Sequence, residues 1–433
     1  MSKQFSSLGI SEPILKASTD LKIEIPTEIQ TKVIPYILKS ENDLVAIAKT
    51  GTGKTAAFGL PLLQLINTNV DQIQVVILSP TRELGQQIFK NLENFATHLP
   101  NVSIASICGG TLIKPQIERL QNPTHIIVAT PGRLIDLIKR SAINIKQTKY
   151  LVLDEADEMV AILKDSLDEI LSEIPKDQRL IKYLFSATLP GTIKQLVQNY
   201  LHKNVVQIEV NMENVGNNAI DHQYIVVSPE EKLEVLMHFL TSNDTKRGII
   251  FCKTKAAVNK LAKNLAINRF SSGAIHGSLT QPIRDRIMEQ FRAGHIKILV
   301  ATDLASRGID VPEVEYVINY HLPEVHETYV HRSGRTARAG ANGLSLTILQ
   351  QEEIAEIADF EKVLGINFTK FLKPNASNIE DNNAFLWAKK IFKTKPNHEL
   401  SADLKDKIKT VFHHLTKDEL IDKLIANYFI QNK

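Results

Sequence analysis

The sequence predicts an α/β protein: two tandem parallel-sheet domains joined by a flexible linker, with a short helical extension at the C-terminus. Three observations carry this. Short apolar runs alternate with amphipathic stretches; the rhythm pauses once, in the polar, Asn/Gly-rich stretch 211–218, and then resumes; and after Pro374 only helical spacing remains.

The first series of runs is Leu44-Val45-Ala46-Ile47, Val75-Val76-Ile77-Leu78, His125-Ile126-Ile127-Val128, Leu151-Val152-Leu153 and Lys182-Tyr183-Leu184-Phe185. Runs that are apolar throughout, rather than alternating, belong to strands covered on both faces, as in a parallel sheet flanked by helices. The second series is His222 to Val227, Gly248-Ile249-Ile250-Phe251, Lys297 to Val300, Tyr316 to Asn319 and Ser345 to Ile348. The boundaries expected from this are a first domain over 1–205, a linker over 206–219, a second domain over 220–372 and an extension over 373–433. In the extension Leu404, Ile408, Val411, Phe412 and Leu415 repeat at helical spacing, and Thr416-Lys417-Asp418-Glu419 has the form of a capping box. Its lysines are offset by acids, which fits a solvated helical face better than a nucleic-acid-binding tail.

With 433 residues, 43% of them hydrophobic and 23% charged, the chain has room for more than one core. A net charge of +3 permits a nucleic-acid partner without demanding one, so any such surface is local. Cys108 and Cys252 lie far apart, which argues against a zinc site and a disulfide framework and fits a reducing cytoplasm. No segment has the ~18 apolar residues of a membrane span, and none resembles a secretory signal.

Two motifs carry chemistry. Ala48-Lys49-Thr50-Gly51-Thr52-Gly53-Lys54-Thr55 follows a predicted strand and opens a helix, so Gly51 and Gly53 let backbone N–H groups close around phosphate oxygens. Lys54 then reaches the β and γ phosphates, and the Thr55 hydroxyl binds Mg²⁺. About 100 residues on, Asp154-Glu155-Ala156-Asp157 ends the run Tyr150 to Leu153, at the sheet edge where open α/β folds bind ligands. Asp154 is expected to hold Mg²⁺ and Glu155 to position or deprotonate the attacking water. A phosphate cradle and a strand-end acidic pair are two halves of a nucleoside triphosphatase.

The same four acidic-motif residues, with others in order, resemble the DEAD-box ATP-dependent RNA helicases. The resemblance covers residues 5–372 and includes Pro26-Thr27-Glu28-Ile29-Gln30, Pro80-Thr81-Arg82-Glu83-Leu84, Gly109-Gly110, Thr130-Pro131-Gly132-Arg133, Ser186-Ala187-Thr188, Phe251, Gln281 with Arg284, Ala301-Thr302-Asp303, Arg307-Gly308-Ile309-Asp310 and His331 to Arg338. It implies two RecA-like domains and an ATP-dependent RNA helicase.

The resemblance also implies roles. Gln30 is similar to the family's adenine reader, a task suited to a carboxamide because it pairs at once with adenine N6–H and N7, so ATP is expected over GTP. Phe5 matches the isolated upstream aromatic, whereas Ile23 replaces an aromatic and Lys22 stands where glycine is common. Aliphatic cover stacks less well on adenine, a loss on the order of 1 kcal/mol. Arg335 and Arg338 are expected as arginine fingers, His331 as a bridge toward the acids of residues 154–157, and Asp310 on the ribose. By spacing alone Arg332, Arg335 and Arg338 fit a solvated basic face better; the flanking His331 and Gly334 favour the fingers. Ser186 and Thr188 are expected to hydrogen-bond Asp157 and couple hydrolysis to RNA, although polar strand-end capping fits the local sequence as well.

RNA contacts are expected from Arg82, Gly110, Thr130, Gly132, Arg133, Lys253, Arg284 and Thr302, a set suited to sugar and phosphate rather than base edges. Further expectations are ATP as substrate, Mg²⁺, little sequence preference, a monomer, and a protein partner docking on the C-terminal helices. An ATP-gated RNA clamp and a DNA-directed motor remain open as alternatives. Catalytic residues at Lys54, Asp154, Glu155, Arg335 and Arg338 argue against the first, and Gln30 with the acidic motif against the second.

Overall fold

The computed structural model describes residues 4–48, 51–189, 191–210, 220–303, 314–337, 342–372, 384–385, 387–388, 391–392, 394 and 401–431. Among the described residues, fourteen strands form two seven-stranded sheets. The first holds β1 (Leu44–Ile47), β2 (Val75–Leu78), β3 (Ile104–Ile107), β4 (Ile126–Ala129), β5 (Tyr150–Leu153), β6 (Ile181–Ser186) and β7 (Val206–Glu209). The second holds β8 (Ile220–Val226), β9 (Gly248–Phe251), β10 (Ser272–Ile275), β11 (Ile298–Ala301), β12 (Tyr316–Asn319), β13 (Gly343–Leu349) and β14 (Thr369–Lys370). All pairings are parallel.

Spatial order is β3-β4-β2-β5-β6-β1-β7 in the first sheet and β10-β11-β9-β12-β13-β8-β14 in the second. Counted from its own first strand, each sheet has the same order, so one architecture is used twice. β1, β2 and β4 are buried at every position. Alternate residues serve opposite faces: Tyr183 and Phe185 of β6 pack with Phe58 and Leu92, while Leu184 between them packs with Leu134 and Leu153. In β9 Ile250 serves one core and Ile249 and Phe251 the other.

The strands read from the sequence are present, with ends shifted by a residue or two. β3, β7, β10 and β14 were not anticipated. β3 and β10 are edge strands broken by polar or small residues, Ser106 in one and Ser272 and Gly273 in the other. β7 lies inside the stretch assigned to the linker, yet it pairs with β1 from Leu44↔Val206 to Ile47↔Glu209. Its largely exposed face explains why it carries no apolar signature. Residues 211–219 of the expected linker lie outside the described residues.

At the C-terminus, helices span Ala402–Phe412 and Lys417–Gln431. The expected capping box is formed: Thr416 N–H donates to Glu419 Oε2 at 2.8 Å and Glu419 N–H to Thr416 Oγ1 at 3.2 Å. Leu404, Ile408, Val411, Phe412, Ile421, Leu424 and Ile425 are all exposed. Among the described residues, no helix is long and apolar enough to cross a membrane.

Candidate active site and RNA interface

Sheet order sorts the motifs. The phosphate loop follows β1, Ser186 ends β6 and Asp154 follows β5, three adjacent strands. Arg82, Gly110 and Thr130 follow β2, β3 and β4, the three strands at the other end of the sheet. Lys253, Arg284 and Thr302 follow β9, β10 and β11, which are likewise neighbours. Parallel strands place the loops and helix starts that carry these residues beyond the sheets' carboxyl edges, the side on which open α/β folds bind ligands.

A cavity of about 480 Å³ opens at the first group. Ile23, Gln30, Gly51, Gly53, Lys54, Thr55, Asp154, Glu155 and Arg335 line it, so the structure brings together expected residues from both domains. Gly51 and Gly53 have φ of 82° and 84°, and Gly53 caps the helix Lys54–Leu65. The positive φ requires glycine at 53, and a Cβ there would fall 2.2 Å from Gln30 Nε2 and displace that carboxamide from the loop. The helix Glu28–Lys39 clamps this loop: Thr27 Oγ1 donates to Thr52 O at 2.8 Å and Gln30 Nε2 to Gly53 O at 3.1 Å. Gln30 Oε1 accepts from Thr27 N–H at 2.9 Å. Each end of the carboxamide keeps one hydrogen-bonding position.

Lys54 is buried, and its Nζ has no hydrogen-bond partner among the described residues. A buried, unsatisfied ammonium at the N-terminus of a helix fits a phosphate group as its partner. Asp154 is also buried; its Oδ1 accepts from Glu155 N–H at 3.0 Å. Burial pushes the Asp154 carboxyl up to about 7, against the favourable charge of Lys54 and with the added repulsion of Glu155 and Asp157. Glu155 caps the helix Ala156–Ser172 in the left-handed region, φ 49°. Such a conformation costs about 1–2 kcal/mol in a residue with a Cβ, and here it turns the chain so that consecutive acids both face the cavity.

Other expected nucleotide residues sit elsewhere. Phe5 is packed into the first domain's core and does not line the cavity. Its short helix is held against the domain by apolar contacts. Ala48 is buried at the end of β1, its N–H bonded to Ser186 O at 3.0 Å, and Thr52 contributes its carbonyl to Thr27. Lys49, Thr50, Asp310 and Arg338 lie outside the described residues. Lys22 has φ 58°, which supplies the reason glycine suits that position.

His331 crosses between the domains. Its Nδ1 is bonded to Glu158, and its Nε2 lies 3.7 Å from Asp157 Oδ2. The bridge therefore reaches Asp157, the last of the expected acids, and makes its hydrogen bond one residue beyond, at Glu158. Burial pulls the imidazole down, but the hydrogen bond and charge of Glu158, with Asp157 and Glu155 behind it, hold it above its ordinary value. Thr188 Oγ1 and the N–H groups of Ala187 and Thr188 all donate to Asp157 Oδ2 at 3.2 Å. Ser186 does not join them: its hydroxyl donates to Thr188 O at 2.7 Å and braces the turn instead. Arg332 is not a solvated face but is buried, paired through two nitrogens with Asp303 and bonded to Asn319 and His321 O.

The candidate RNA residues fall into two kinds. Gly132 is exposed in the first turn of the helix Pro131–Lys139, and Lys253 is exposed in a 2.7 Å pair with Glu324. Thr130 accepts from Gly109 N–H at 3.0 Å, Arg133 donates to Thr111 O at 2.9 Å, and Gly110, φ 81°, offers its carbonyl to Arg82 at 3.3 Å. Thr302 is half-buried after β11. Arg284 pairs across the interface with Glu83 at 3.0 Å, and Arg82 lies 3.7 Å from Asp285. Gln281 also donates to Glu83, at 3.3 Å. Sequence reasoning assigned no role to Glu83, Asp285 or Glu158; the signal available was an acid directly beside each of Arg82, Arg284 and Asp157.

Comparison with known proteins gives the family. DEAD/DEAH box helicase describes residues 27–196, helicase conserved C-terminal domain residues 231–340, and the helical domain of a probable ATP-dependent RNA helicase residues 379–431. A probable ATP-dependent RNA helicase of Methanocaldococcus jannaschii is 41% identical over 84% of this chain and 97% of its own length. The DEAD-box ATP-dependent RNA helicase CshA of Bacillus cereus is 35% identical over 92% of this chain and 75% of its own. The solved structure of S. cerevisiae Dbp5 bound to RNA and ADP BeF3 superposes with a TM-score of 0.79 at 30% identity, covering 90% of this chain and all of that one. The chain belongs to the DEAD-box family of ATP-dependent RNA helicases.

Proposed function

We propose that ATP and RNA together hold the two domains closed, and that hydrolysis followed by phosphate loss reopens them, separating a few RNA base pairs locally and without tracking along the duplex. The observation that carries this is the composition of the phosphate end of the cavity: Lys54, Asp154 and Glu155 come from the first domain and Arg335 from the second. Neither domain alone completes it, and one chain supplies both, so a monomer suffices. RNA candidates are divided in the same way, which makes the two ligands favour one arrangement and tighten each other.

In this reading Lys54 holds the γ-phosphate, Glu155 takes the proton of the attacking water, and Arg335 with Arg338 stabilises charge on the transferring oxygens. Asp154 and Thr55 are oxygen donors lining the same cavity, and Asp154 is buried with the acids Glu155 and Asp157 close by. The two donors fit Mg²⁺, which when bound would neutralise phosphate charge. Thr188 and Asp157 would connect this site to His331 and so to closure. Closure would press one RNA strand against the segment beginning at Pro131 and Gly132, and contacts to phosphate and 2′-OH would select RNA over DNA with little regard to sequence.

Two buried, free cysteines support action in a reducing cytoplasm. The exposed apolar residues of the two C-terminal helices support docking of a protein partner there.

The test is phosphate release with Mg²⁺ and ATP, alone and with single-stranded RNA or matched DNA, beside Glu155→Gln. Stimulation by RNA only, reduced at least ~100-fold in the variant, is expected. Equal stimulation by DNA would overturn the RNA assignment, and stimulation by neither would favour an ATP-gated clamp.

A further inference from the structure

Gln87, Asn91 and Asn94 line the nucleotide cavity from the helix Arg82–Phe95, and no motif reading assigned them. Spacings of four and three residues put them on one helical face. Their side chains make no hydrogen bond within the protein among the described residues. Three carboxamides with unused donors and acceptors form a polar rail that borders this cavity and, on its other side, the groove lined by Arg284, Asp285 and Met288 of the second domain.

The rail has a direction. The helix begins after β2, which pairs with β5 and so lies beside Asp154. Its far end is held against the start of the adenine segment by His98, bonded to Asp20 at 2.6 Å. Gln87 therefore lies toward the phosphate end, and Asn94 toward Leu21 and Ile23. At 1.5 Å per residue, seven residues span about 10 Å, comparable with the reach from the γ-phosphate to the base. Between the phosphates at Lys54 and the base at Gln30 lies the sugar.

We propose that Asn91 and Asn94 bind the 2′- and 3′-hydroxyls of the nucleotide ribose from the first domain. The chemistry matches: each ribose hydroxyl donates and accepts, and each carboxamide does both. This would anchor the nucleotide before closure and offset the weaker stacking that Ile23 provides. The inference rests on the nucleotide-binding reading above and deepens it by naming specificity residues that belong to the first domain alone.

The test is calorimetric binding of ADP, 2′-deoxy-ADP and 3′-deoxy-ADP to the wild-type chain, Asn91→Leu, Asn94→Leu and the double variant. ADP avoids turnover, so the result does not depend on RNA-stimulated hydrolysis. The wild type is expected to bind ADP about threefold to tenfold more tightly than either deoxy form, a ratio that shrinks toward one in the variants. Equal weakening of all three nucleotides, no weakening, or a wild type indifferent to the hydroxyls would each overturn the proposal. Failure of the wild type to bind any adenine nucleotide would instead overturn the reading on which it rests. Both side chains are half-exposed, so the fold should survive, and matching melting curves would verify this.

Discussion

The Arg284 guanidinium meets the Glu83 carboxylate at 3.0 Å across the domain interface, both side chains about five-sixths buried. Next to it the signs are exchanged, with Arg82 of the first domain facing Asp285 of the second. Two successive residues on each side thus present complementary charge, and a misregistered closure would set like charges together. A double-mutant cycle with Glu83→Gln and Arg284→Gln, read as RNA affinity with a non-hydrolysable ATP analogue, is expected to give a coupling of about 1 kcal/mol. Additive losses would mean that Arg284 acts on RNA alone.

Closure should weaken as pH rises. With the domains apart His331 has an ordinary imidazole value, near 6.5. Closed against Glu158 and Asp157, it is held higher, so the closed form takes up a proton. The contribution is fully present below the ordinary value and is lost as pH rises through the raised one. Interdomain energy transfer with ATP analogue and RNA should show this decline, and His331→Gln should flatten it. A profile unchanged by that substitution would refute the role of this pair.

Thr188→Val removes one of three donors to Asp157 Oδ2 and leaves both backbone N–H groups in place. A loss of about 1 kcal/mol is about fivefold. Duplex separation per ATP consumed is expected to fall by roughly that factor, while nucleotide affinity without RNA stays level. Parallel loss of ATP affinity would show that Thr188 supports the site rather than the coupling.

Gly248→Ala tests the second domain's packing. A Cβ there would lie 1.9 Å from the ring of Tyr316, which is buried in the core beside it. Overpacking of this kind costs about 3 kcal/mol, and the second domain should melt roughly 6–12 °C lower. A melting curve like the wild type's would mean that β9 and β12 can separate without cost.

Much was legible in the residues alone. Runs such as Val75 to Leu78 are apolar throughout because both faces of the strand are covered, and that local fact is enough to read a parallel sheet. The phosphate loop was readable because its glycines, lysine and threonine are consecutive, and the acids because they end a strand. Exposed edge strands carry no such pattern: β7 reads as linker in the sequence, and only its pairing with β1 makes it a strand. What only the tertiary structure decided are relations between distant segments: that Phe5 is core and not cavity, that Ser186 braces a turn while Thr188 reaches Asp157, that His331 meets Glu158, and that Arg284 meets Glu83. Sequence spacing determines which side chains share a strand end or a helix face. Which of them touch across two domains depends on packing summed over both sheets, and no local pattern records that sum.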